Sequence, residues 1–207
     1  MSAFGDVGTT VVGSCLVNDW TLSLMDWIGD VIAGMAVLRY LLEGAGVKRQ
    51  NPLMNMALVS TEFALQWLRL PLSHLPGRDK SALVWAWLVN FFMALSHLSW
   101  HFVLNRESGA WHLLPWAVAL AMVNVVQQMI YVWMAAVFLL ALLSWMNPFS
   151  PLLAGVEALV RPFLLVLRRF IPPLGRVDLT PVVLMIFFQF SLTVGIGALE
   201  MLVQRLM

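Results

Sequence analysis

The side chains best equipped for chemistry in this sequence are few, and most sit inside apolar runs. Asp26 and Asp30 stand four residues apart, so a helix would stack them one turn apart on one face. Carboxylates at membrane depth are functional candidates by default. Placed in the first turns of a span beginning at Leu22, however, they lie near water and near the positive end of the helix dipole. The structural reading of the pair is the one adopted. His97 and His101 are also four apart, and His112 follows across a short turn. Three imidazoles could hold a metal or haem, but no carboxylate–His pattern designates a particular metal. They stay as metal candidates only, and no cofactor is assigned. Asn124, Gln127, Gln128 and Gln189 are amides within apolar surroundings. They read as hydrogen-bonding glue between helices, at about 0.6 kcal/mol each, in preference to a conduction path.

Whole classes of function are excluded by what the sequence lacks. The single cysteine, Cys15, rules out an internal disulfide, a CxxC redox pair and a cysteine zinc site. No GxSxG, HExxH, Walker A or GxGxxG motif stands in a suitable context, so no enzyme and no catalytic residues are expected. A net charge of +1, with the basic residues between apolar runs, gives no footprint for nucleic acid.

The elements that must carry these groups are dictated by hydropathy. Of the 207 residues, 61% are hydrophobic and 11% charged, with a mean hydropathy of +0.85. Soluble domains are about 25% charged, so lipid is the expected solvent. A crossing helix needs about 20 apolar residues, and four stretches qualify: Leu22 to Leu42, Ala82 to Leu104, Leu114 to Trp145 and Leu179 to Leu202. Trp85, Trp87, Trp100 and His101 near the ends of the second fit an aromatic belt. Residues 1–20 contain no Lys or Arg, unlike a signal peptide, so the first stretch is expected to remain as an anchor.

Basic residues orient the rods. Lys48, Arg49, Arg69, Arg78 and Lys80 lie between spans one and two; Arg161, Arg168, Arg169 and Arg176 lie between spans three and four. Only Arg106 and Arg205 occupy the opposite side, while Arg39 near the inner end of span one can snorkel. This places both termini away from the cytoplasm of a bacterial inner membrane.

The two basic connections are more than linkers. In Asn51 to Ser73, the polar Asn55, Glu62, Gln66, Arg69 and Ser73 fall on one helical face, opposite Leu53, Met56, Ala57, Ala64, Trp67 and Leu68. In Phe149 to Phe170 the stripe is Ser150, Glu157, Arg161 and Arg168, with Glu157 and Arg161 spaced as an i, i+4 ion pair. Such helices tend to lie in the membrane interface, and a re-entrant path is open only to a segment buried in protein. Pro162 also interrupts the hydrogen bonding of the second one.

The stripes superpose at a shift of 95 residues, Asn51-Pro52 falls on Asn147-Pro148 at 96, and Asp79 on Asp178 at 99. The chain is therefore divided into a non-cytoplasmic tail (1–21), a first repeat (22–104), a connection (105–113), a second repeat (114–203) and a short tail (204–207). A two-span unit starts and ends on one side, which makes the repeats parallel.

The second repeat resembles a known family. Ser144-Trp145-Met146-Asn147-Pro148, Arg161-Pro162 and the run Arg168-Arg169-Phe170-Ile171-Pro172-Pro173-Leu174-Gly175-Arg176-Val177-Asp178-Leu179-Thr180-Pro181 are similar to the signature of the YggT family. The first repeat is degenerate: it keeps Asn51-Pro52, Arg69, Leu75-Pro76-Gly77 and Asp79 but lacks the paired arginines and prolines. Arg176 stands where the family usually has a second glycine. The resemblance implies a small bacterial membrane protein, with chloroplast relatives implicated in assembling cytochrome complexes, and implies no catalytic residues.

Taken together, the expected fold is an all-α membrane protein: four transmembrane helices plus two amphipathic interfacial or re-entrant helices, in two parallel repeats. Asn51, Pro52, Asp79, Asn147, Pro148, Pro172, Pro173 and Gly175 are expected to shape the membrane-surface elbows. Arg161, Arg168, Arg169, Arg176 and Asp178 are the candidate contacts for anionic lipid or a membrane-protein partner. The expected role is an assembly or scaffold factor, with homo-oligomers allowed. A small transporter or channel component linked to osmotic tolerance is the alternative. It would need polar groups such as Asn124, Gln127 and Gln189 converging on a wet cavity, where a scaffold would have a dry bundle.

Overall fold

The first helix, α1, runs unbroken from Asp6 to Gly44 in a computed structural model. Residues 6–72, 80–105, 114–147, 149–169 and 180–206 are described, with side chains for 20, 23–66, 80–97 and 114–147, and for 149–169, 180–199, 201–202 and 205. No proline interrupts residues 6–44, so the helix continues through the segment expected to be a tail. Asp26 and Asp30 are consequently mid-helix, and the expectation that they stand in a first turn beside a helix-dipole end is corrected.

A glycine ends α1. Gly46 adopts φ +72°, and around it the Gly46 N–H donates to Glu43 O (3.1 Å) and the Val47 N–H to Leu42 O (3.1 Å). This paired pattern satisfies the last carbonyls of α1 and reverses the chain. Helix α2 (Pro52–Leu72) follows, then α3 (Lys80–Asn105) and α4 (Leu114–Met146). Helix α5 spans Pro151–Leu167. The last rod is α6 (Thr180–Phe190), a π-helical turn (Ser191–Ile196) and α7 (Gly197–Leu206). Every described element is helical, in the order long, shorter, long, twice over.

Among the described residues, two helices, Leu114–Met146 and Thr180–Leu199, are long and apolar enough to cross a membrane. Only 11% and 22% of their most apolar windows are buried within the protein. The core helix of a soluble domain would hide such a surface; these present it outward, as a lipid-facing helix does. Helices α1 and α3 are long as well, but Asp26, Asp30 and Arg39 in α1 and Asn90, Ser96 and His97 in α3 dilute their hydropathy.

The last rod is interrupted by a feature the apolar run did not announce. Ser191 Oγ donates to Phe187 O (2.9 Å) and Thr193 Oγ1 to Gln189 O (3.0 Å). Side-chain hydroxyls that occupy backbone acceptors compete with the regular ladder, at the place where it widens to the π form.

Packing joins α1 to α3 and α4, and α4 to α5 and α6, while α2 bridges α1, α3 and α5. The larger core gathers Leu42, Met54, Ala57, Val137, Val156, Val160, Leu184 and Phe188. Its centre is aromatic: Trp133 and Phe163 meet edge-to-face at 4.8 Å, and Phe163 meets Phe188 at 5.2 Å. The second core consists of Ala33, Ala36, Val37, Ala86 and Val125. Its small side chains bring α1, α3 and α4 close together, as membrane helices commonly are.

Candidate functional site

A polar groove opens between α1, α3 and α4, with a volume of about 810 Å³. Asp26, Asp30 and Trp27 line it from α1, Asn90 and His97 from α3, and Asn124, Gln127, Gln128 and Tyr131 from α4. The last four recur at i, i+3, i+4 and i+7, so α4 presents them on one face. Beside the groove, Gly29 of α1 lies against the Met93 side chain of α3, whose methyl end would have to move to admit a Cβ there.

Within the groove the polar groups are chained across three helices. Gln128 Nε2 donates to Asp30 Oδ1 (3.1 Å), while Asn90 Nδ2 donates both to Gln128 Oε1 (3.1 Å) and to Ala86 O (2.8 Å). Gln128 and Asn90 are buried. About one turn away, His97 Nε2 lies 2.7 Å from Asp26 Oδ1. Gln127 Nε2 donates to the Tyr131 hydroxyl (3.3 Å). By the rise of ~1.5 Å per residue, Gln128 lies roughly 21 and 27 Å from the two ends of α4, and Asn90 roughly 15 and 22 Å from those of α3. The chained amides are far from every helix end.

These contacts revise the reading of the amides. Gln128 does bind helices together, as expected of glue. Asn124 and Gln127 also line a cavity, and two carboxylates join them. Gln189 lies exposed on α6 and takes no part. His97 is drawn to Asp26, whereas the side chains of His101 and His112 lie outside the described residues. Among the described residues, no group of three His, Cys, Asp or Glu is placed to hold a metal ion.

The residues of α5 and its carboxyl-terminal end are arranged differently. On α5, Gly155, Val156, Leu159, Val160 and Leu164 are buried, while Glu157, Arg161, Arg168 and Arg169 are exposed on the other side. The expected i, i+4 ion pair between Glu157 and Arg161 is not closed. An exposed pair gains about 0–1 kcal/mol, too little to fix two long side chains. Helix α5 also runs continuously past Pro162, which sits inside it.

Asn51 ties the start of α2 to the start of α5. Its Oδ1 accepts from the Leu53 N–H (2.9 Å), capping α2, and its Nδ2 donates to Pro151 O (2.9 Å) at the start of α5. A Cβ on Gly155 would stand 2.8 Å from Asn51 Oδ1. The cap of α5 is Ser150, whose Oγ accepts from the Leu152 N–H (3.3 Å). Asn147, expected to match Asn51, instead accepts from the Ser150 N–H through its carbonyl (3.1 Å). Ser150 stands 99 positions after Asn51, the same spacing that separates Asp79 from Asp178. Asp79, Pro148, Pro172, Pro173, Gly175, Arg176 and Asp178 lie outside the described residues.

One functional-looking side chain escaped the sequence reading. Arg39 does not snorkel to water; it is completely buried. Its Nη1 donates to Thr61 Oγ1 (2.9 Å) and Glu62 Oε2 (3.1 Å) of α2, and its Nε lies 3.4 Å from Glu43 Oε1. The lone basic residue within an apolar run was the available signal.

Comparison with known proteins gives one match. No curated protein and no solved structure is significantly similar. Residues 119–199 match the CCB3/YggT family model, a segment that holds α5, α6, the π turn and most of α4. It contains the SWxNP and RRxIPPxGxxD motifs on which the resemblance rested. Over this carboxyl-terminal segment the chain is similar to the CCB3/YggT family.

Proposed function

We propose that the protein is a four-span inner-membrane protein that receives a small polar or charged solute in the groove between α1, α3 and α4, as a transporter or channel component. The reading is non-catalytic. The single observation that carries it is the convergence of Asp26, Asp30, Asn124, Gln127 and Gln128 on one cavity far from the helix ends. Intramembrane polar groups are costly, so they are retained where they face a path or a ligand. A dry scaffold has no use for an open cavity lined by two carboxylates.

In this reading α1, α3, α4 and the α6–α7 rod cross the bilayer as two parallel repeats, with α2 and α5 at the cytoplasmic interface and both termini outside. Nine basic residues against two on the opposite side support that orientation.

The reading is tested by water access. With Cys15→Ser as background, Asn124→Cys should react in intact cells with a membrane-impermeant methanethiosulfonate, and Val126→Cys on the outward face of α4 should not. Equal protection of both positions would mean a closed, dry bundle and would overturn the groove as a solute site.

A scaffold role is kept as a second reading because α5 exposes Arg161, Arg168 and Arg169 beside Leu165 and Val166. Cations next to apolar side chains suit an anionic lipid surface, or a partner docked at that surface.

A further inference from the structure

We propose that the groove binds a small organic cation, an ammonium or guanidinium compound. The inference rests on the groove being the solute site proposed above. Its charge is one-sided: two carboxylates line it, and neither Lys nor Arg does among the described residues. Asp26 Oδ1 is engaged by His97, and Asp30 uses one oxygen to accept from Gln128. An anion would meet two carboxylates there, with no Lys or Arg among the described lining to offset them. A cation finds complementary charge there.

Size and wall chemistry separate an organic cation from a bare metal ion. About 810 Å³ falls within the range of small-molecule sites. The carboxylates and His97 are not gathered as a metal-binding group, and a dehydrated inorganic ion needs converging oxygens. Trp27 and Tyr131 line the same cavity from α1 and α4. Aromatic faces beside carboxylates attract alkylammonium and guanidinium groups through the ring quadrupole, while the rest of the ligand remains in van der Waals contact. Asn124 and the free oxygen of Gln127 supply hydrogen-bond partners for N–H groups.

The test is calorimetric titration of the full chain in lipid nanodiscs with tetramethylammonium, guanidinium, potassium and glycerol, each alone. Saturable binding of either organic cation is expected. Asp30→Asn keeps an acceptor for Gln128 while removing the charge, so it should weaken binding about tenfold or more. Trp27→Leu should weaken it about three- to tenfold. Potassium binding of equal strength, insensitive to Trp27→Leu, would overturn the organic class. Glycerol binding untouched by Asp30→Asn would overturn the charge argument, and silence from all four probes would overturn the proposal outright. The cysteine experiment on Asn124 separates the two levels. A reactive Asn124→Cys with no cation binding removes this inference alone, whereas a protected one removes the groove reading beneath it.

Discussion

Replacing Arg39 by alanine tests how α1 is fastened to α2. The guanidinium is fully buried, Glu43 is 17% exposed and Glu62 is 49% exposed. Thr61 survives the loss well, because its hydroxyl still donates to Ala57 O at 2.7 Å. Glu62 can turn to water, so its share is discounted to that of an exposed pair, about 0–1 kcal/mol. Glu43 is left more buried than solvated, and one charge-assisted hydrogen bond is lost, at about 1.5–3 kcal/mol. Together these come to about 1.5–4 kcal/mol, mostly below the roughly 3–5 kcal/mol for breaking a fully enclosed ion pair. Arg39→Met should cost less than Arg39→Ala, since it fills the space and removes the need to desolvate a guanidinium. Reversible unfolding in mixed dodecyl maltoside and SDS micelles, followed by far-ultraviolet circular dichroism, gives the differences. In a cycle with Thr61→Val the two substitutions should be non-additive, because they share one hydrogen bond. Additive costs, or an Arg39→Ala protein within 0.5 kcal/mol of wild type, would refute the clamp.

Asn51→Ala should destabilise by about 1–2 kcal/mol, from a lost cap and a lost bond to α5, in the same unfolding assay. Gly155→Ala should cost about 1–3 kcal/mol by pushing against Asn51, and much of that cost should vanish in the Asn51→Ala background. Gly46→Ala forces a side chain into φ +72° and should cost about 1 kcal/mol, again read from the unfolding midpoint. Arg168→Ala/Arg169→Ala should reduce retention of anionic lipid through purification, at about 1 kcal/mol per arginine near the surface, with native mass spectrometry as the readout. Unchanged lipid would remove α5 as a docking face.

What could be read from the sequence was local in character. The buried and exposed sides of α5 follow from a spacing contained within five turns, and α4 follows from one apolar run. The groove could not be read that way. His97 and Asp26 are 71 positions apart, and Gln128 and Asp30 are 98 apart, so their meeting is a property of packing. The start of α1 was missed for a related reason. Residues 6–21 were assigned by hydropathy to a tail, yet nothing in them stops a helix already nucleated downstream. Nearness to a helix end suggests that Arg39 reaches water, whereas two of its partners, Thr61 and Glu62, come from α2.

The family match and the groove overlap in a telling way. Residues 119–199 include Asn124, Gln127, Gln128 and Tyr131 but none of the α1 or α3 wall. A helix with four polar side chains on one face is poorly suited to face lipid, since each would have to find partners within its own turn. In this chain Asn90 and Asp30 meet Gln128, and both come from the half outside the match. The acidic charge likewise comes entirely from α1. In sequence the matched motifs flank α5, whereas the groove arises where α4 is covered by α1 and α3. Under the proposed reading, the charge that a ligand would meet is therefore supplied by α1, outside the matched segment.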